Sequence, residues 1–196
     1  MNNIEQTIKT QYAKIFGFRD VPVFKKMADY YFETAAKILK KDIEVDDPYK
    51  LMVRNIQKRL FIGIGTELLL KSIFLKNNYC INSSKKNFKI TFPSLLKDIE
   101  IEELDESNTQ SLNALIDNLP KVIQVSKECI QGLKICKVFR NKEGHIAVLK
   151  HKVDAQNYRD IEKTITELYK IAFNQELEFK ISFLDDEEYI FKYHKA

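Results

Sequence analysis

Asp47-Pro48 sets a capping carboxylate and a first-position proline at the head of a run that reads as helix to about Asn77. Near its centre, residues 60–75 are apolar on almost every side. A helix of that kind hides its surface only when neighbouring elements enclose it, so the rest of the chain has to supply them. With 5 glycines and 4 prolines in 196 residues, the chain lacks the turn residues of a sandwich or barrel. An all-α fold is expected.

The other segments supply candidate neighbours. Ile4, Ile8, Tyr12, Ile15 and Phe16 recur at helical spacing before Gly17. Pro22 opens a second helix with an expected apolar stripe of Val23, Met27, Tyr31, Ala35 and Leu39. Residues 77–90 read as a loop, followed by a short helix after Thr91, an acidic connector and a helical turn or two within 107–118. A helix from Pro120 to about Phe139 and another from Asp154 through Tyr158, Ile161, Ile165, Leu168 and Ala172 complete the set. The period then changes to two: Leu177, Phe179, Ile181 and Phe183, then Tyr189, Phe191 and Tyr193, read as a C-terminal β-hairpin. The expected organisation is one domain, 1–196, with an N-terminal helix at 1–20, a helical core at 22–173 and a hairpin at 175–194.

Hydrophobic residues at 44% and charged residues at 31% exclude general disorder. The longest apolar run, residues 60–65, falls far short of the roughly 20 residues that span a bilayer. Three cysteines cannot all pair, and no C-x-x-C or zinc-like histidine spacing occurs. Cys80, Cys129 and Cys136 therefore read as buried structural thiols of a cytoplasmic protein. No Gly-rich phosphate loop, metal box or paired-carboxylate motif is present, so no cofactor is expected. His151 and His194, set among lysines, read as surface residues.

The net charge of +4 conceals an asymmetry: residues 96–119 carry a net −6 and residues 120–152 a net +6. Two readings stand: solvated faces of a lysine-rich chain, or a basic surface that faces phosphates. Within the basic segment, Val122, Val125, Cys129, Leu133 and Cys136 step by three or four along one side of the expected helix, and the next step lands on Arg140. An arginine closing an inward stripe needs an anionic partner or a cleft. Asn141 follows, and His145 completes the segment RNKEGH. Phosphodiester cleavage without a metal needs such a set: a planar cation for charge growing on phosphorus, and an imidazole that moves protons near neutral pH. A second pair, Glu67 and Lys71, shares one face of the enclosed helix at i, i+4 spacing. It reads either as a self-satisfying ion pair or as a supporting element of the site.

With its long enclosed helix bearing E-L-L-L-K and a late Arg-Asn-x-x-x-His, the chain resembles the HEPN superfamily across roughly residues 22–173. That family's signature is an Arg followed after four to six residues by a His, often with a polar residue next to the Arg. Arg140, Asn141 and His145 fit it. The resemblance implies an up-and-down helical bundle that dimerises, bringing two motifs into one cleft that cuts RNA without metal. His145 would act as general base or acid on the ribose 2′-hydroxyl, Arg140 would hold the phosphate, and Asn141 would hydrogen-bond in support. The products would carry 2′,3′-cyclic phosphate and 5′-hydroxyl ends. Lys134, Lys137 and Lys142 are the accompanying RNA-binding candidates. A bacterial toxin or antiviral-defence setting follows from the same resemblance, with an antitoxin or regulatory protein, an activating signal, or occlusion by the acidic segment as restraint. The tyrosine that a toxin subgroup carries two residues after the His is Ala147 here, so regulation by modification at that position is not expected. The rival expectation is a non-catalytic HEPN-like helical module that binds a nucleotide or a partner protein, with Arg140 and His145 holding a ligand phosphate or simply closing the bundle's end.

Overall fold

The computed structural model describes residues 7, 10–12, 14, 20–41, 47–143 and 155–177. It is mostly helical, with one small two-stranded antiparallel sheet. Its elements are α1 (Val21–Lys41), α2 (Pro48–Lys76), β1 (Asn82–Ser84), β2 (Leu104–Thr109), α3 (Leu112–Asn118), α4 (Lys127–Val138) and α5 (Ala155–Phe173). A π-helical turn, Phe139–Glu143, continues α4. Among the described residues no helix is long and apolar enough to cross a membrane. Beyond residue 177 the expected C-terminal hairpin lies outside the described residues, as do His151, His194 and most of the N-terminal segment.

The chain divides into two compact units, Met1–Tyr30 with Gly65–Val125 and Tyr31–Ile64 with Ser126–Ala196. In the first, β1 pairs with β2, with Asn82 opposite Thr109, Ser84 opposite Leu104, and an irregular register between them. Asn82 is the buried polar hub of this sheet. It accepts the Tyr12 hydroxyl, donates to the Asp105 carbonyl at 2.7 Å, and offers its own carbonyl to the Gln110 amide at 3.1 Å. Phe74 stacks on Phe92 and meets Tyr79 edge-on, which ties the end of α2 to the segment after β1. Residues 77–90 are thus not simply a loop. Three polar residues in β1 offer no apolar alternation, and the acidic connector expected after it provides the paired strand.

Two helices differ instructively from their sequence patterns. On α1, Phe24, Ala28, Phe32, Ala35 and Ala36 are buried, whereas Val23 and Met27 are 40% and 42% exposed. A stripe drawn in strict i+4 steps drifts by about 40° per step, so no single face could bury Val23 through Leu39. Asp20 caps this helix through the amide of Val23 at 2.8 Å, and Asp47 caps α2 through the amide of Tyr49 at 2.9 Å.

In the second unit, α4 begins at Lys127 rather than at Pro120. Pro120 sits in a short 3₁₀ turn, Leu119–Lys121, and Val122 and Val125 precede the helix. The β-branched run Val122-Ile123 disfavours helix, and Ser126 then starts one: its Oγ accepts from the Cys129 amide at 3.0 Å. Glu167 of α5 holds that cap, accepting the Ser126 amide at 2.8 Å and the Ser126 hydroxyl at 2.7 Å. Cys129, Leu133 and Cys136 remain buried as expected, and so do Tyr158, Ile161, Ile165, Leu168 and Ala172 of α5. The two helices touch closely at Gly132, where a Cβ would lie 2.0 Å from Thr164 Oγ1.

Ser126→Ala removes the cap and leaves the Glu167 carboxylate without its hydroxyl donor. It should cost about 1–2 kcal/mol of stability, read as a lowered urea midpoint.

Candidate active site around Arg140

Arg140 is the second residue of the π-helical turn that follows α4, and Asn141 comes next. Single π turns inside helices are rare and concentrate at functional sites. The turn keeps Arg140 half-buried and leaves Asn141 exposed. Its backbone is seated on α2. A Cβ added at Gly63 would lie 2.6 Å from the Arg140 amide nitrogen, 2.8 Å from its Cα and 2.9 Å from its Cβ. Only glycine lets the two backbones approach that closely.

A second contact supports the same turn. Phe139, its first residue, is buried, and its ring lies 6.0 Å from that of Tyr158 on α5. Over the other ring sits Lys58 of α2, with Nζ 4.3 Å from the Tyr158 centroid and only 1% of the residue exposed. A cation this deep is uncommon, and a desolvated cation–π contact contributes roughly 2 kcal/mol.

Of the sequence candidates, Arg140 and Asn141 share this turn. Lys134 is exposed on α4, Lys137 is half-buried beside it, and the backbone of Lys142 lies in the turn. Down the exposed side of α4, Lys127, Gln131, Lys134, Val138 and Asn141 recur every three or four residues. This stripe presents two lysines and leads to the turn. The Lys142 side chain and His145 lie outside the described residues. Glu67 and Lys71 pair with each other, Lys71 Nζ to Glu67 Oε1 at 2.6 Å, and belong to the first unit, whereas Arg140 belongs to the second.

Sequence reasoning missed Gly63, Lys58 and Tyr158 as parts of the site. A glycine inside the longest helix was one available signal, since it costs about 1 kcal/mol there unless something needs the space. For Lys58 the signal was its alignment with Ile62, Thr66, Leu69 and Ile73, all buried along one side of α2.

Two of the thiols are held in their protonated form. All three cysteines are buried and none is in a disulfide. Burial pushes the Cys80 thiol up to about 11, partly offset by hydrogen bonds involving Asn82 and Tyr12. It pushes the Cys129 thiol up to about 12, with the Glu167 carboxylate and Cys136 acting in the same direction. Neutral thiols are poor nucleophiles.

No protein-family model matches the chain, and no curated protein or solved structure matches it either.

Gly63→Ala should push the Arg140 backbone away and cost about 1–3 kcal/mol in a urea titration, with the amide resonances of 139–141 displaced. The thiols make a pH prediction as well. Their folded values lie above the ordinary 9.0, so the stabilisation from keeping them protonated is complete below that pH and is lost as pH rises towards 11–12. The urea midpoint should therefore fall from pH 9 upwards, and less steeply in Cys129→Ala than in the wild type.

Proposed function

We propose that this chain is a metal-independent endoribonuclease of HEPN type, with a HEPN-like bundle as its fold. It would cleave RNA by attack of a ribose 2′-hydroxyl on the adjacent phosphate. The observation that supports this reading best is the π-helical turn that presents Arg140 and Asn141, its backbone seated on Gly63. The His of the motif follows Asn141 at the spacing the family uses.

In this reading the guanidinium of Arg140 binds two phosphate oxygens and stabilises the charge that grows on them as the 2′-oxygen attacks. Its planar fork suits that task better than an ammonium does. His145 takes the 2′-hydroxyl proton, and a second imidazole returns a proton to the departing 5′-oxygen. One His in each chain's motif supplies one such group, so a homodimer with paired motifs completes the reaction. Asn141 hydrogen-bonds a phosphate oxygen in support. Lys134, Lys137 and Lys142 hold flanking phosphates, a contribution that weakens as salt is raised. The products are a 2′,3′-cyclic phosphate and a 5′-hydroxyl. A nuclease of this kind requires restraint in its host. The setting we propose is a bacterial toxin or antiviral-defence system with a neutralising or regulatory protein partner.

The test is cleavage of tRNA, rRNA and mRNA in EDTA by wild type, Arg140→Ala and His145→Ala, each verified as folded by circular dichroism. The expected result is wild-type cleavage that leaves cyclic-phosphate ends, with each substitution lowering the rate by roughly 100-fold or more. Equal cleavage by all three, or nucleotide binding with no cleavage by any, would refute the nuclease and favour a ligand-binding module.

A further inference from the structure

The burial of Lys58 is not accounted for by phosphate binding, because an ammonium 1% exposed is closed off from a substrate. Its place in the unit suggests another task. Lys58 Nζ lies 4.3 Å over the Tyr158 ring, and that ring lies 6.0 Å from Phe139, inclined at 42°. Phe139 opens the π-helical turn, and the next residue, Arg140, has its backbone against Gly63. Lys58 and Gly63 stand five residues apart on α2, about 7.5 Å along its axis. One helix therefore acts on the turn at two points: directly at Gly63, and through the Tyr158 and Phe139 rings from Lys58.

We propose that Lys58 and Tyr158 are positioning residues that fix the Arg140 turn; the catalytic consequence rests on the ribonuclease reading above. Seating at Gly63 alone would leave the turn able to pivot about that contact. The Lys58–Tyr158–Phe139 series restrains it at its first residue, so the direction in which Arg140 leaves the backbone is set by α2 through two adjacent residues, 139 and 140. A cation on the Tyr158 face, unlike an alkyl chain, is attracted to the negative face of the ring and holds the ring in one orientation. A misplacement near 1 Å at a charge-stabilising group costs on the order of 100-fold in rate, which makes this restraint consequential.

The test compares wild type, Lys58→Met, Lys58→Arg and Phe139→Leu in two measurements: the amide resonances of residues 139–141, and kcat and KM for RNA cleavage. Lys58→Met keeps the side-chain volume without the charge. It should displace those resonances and lower kcat by roughly 10- to 100-fold while KM stays within about twofold. Lys58→Arg should restore most of both. If Lys58→Met does not fold, Phe139→Leu breaks the series at its other end and should give the same pair of effects. Unmoved resonances with unchanged kcat, or a Lys58→Arg variant no better than Lys58→Met, would overturn the proposal. If the wild type cleaves no RNA the ribonuclease reading falls, and the resonances alone then decide whether Lys58 positions the turn.

Discussion

The approach of two backbones at Gly63 and Arg140 is the constraint on which the candidate site depends. At 2.6 Å from where a Cβ would be, the Arg140 amide leaves position 63 no choice of residue. A glycine inside a 29-residue helix weakens that helix, and the space it opens is filled by the turn that carries the arginine. The stability lost at one position of α2 is exchanged for a fixed location of the Arg140 backbone.

Around that contact, burial in the second unit deepens from the turn inward. Arg140 is half-buried and Asn141 exposed, and behind them stand Phe139 and Tyr158 with Lys58 over the ring. The start of α4 is fixed independently through Ser126 and Glu167, at the opposite end of the helix from the turn. Between these ends, Cys129, Leu133 and Cys136 pack inward, and burial raises the Cys129 thiol. The candidate site lies at one terminus of α4, where α geometry changes to π geometry.

Much of this was legible from residue spacing. The enclosed helix from Asp47-Pro48 and the final helix with its stripe from Tyr158 to Ala172 fall where periodicity and capping place them. Arg140 also stands at the close of the inward stripe Cys129, Leu133, Cys136. The start of α4 was misread because Val122 and Val125 continue the apolar period by chance, while the decisive signal is the single hydroxyl of Ser126. The small sheet was invisible because Asn82–Ser84 has no alternating pattern, and its partner strand lies about twenty residues away in a segment rich in acids. Lys58 and Gly63 were missed for a related reason. Their meaning lies in what touches them, and Tyr158 and Arg140 are remote in sequence from both.

The central claim, that the 2′-hydroxyl next to the scissile phosphate is the nucleophile at an Arg140–His145 site, has a direct measurement. An oligoribonucleotide spanning a mapped cleavage position is compared with the same oligonucleotide carrying one 2′-deoxyribose at that position. The account predicts that the all-ribose strand is cut and that the substituted strand binds equally well yet stays intact. Cleavage of the 2′-deoxy strand at the same phosphodiester, or of neither strand, would contradict it.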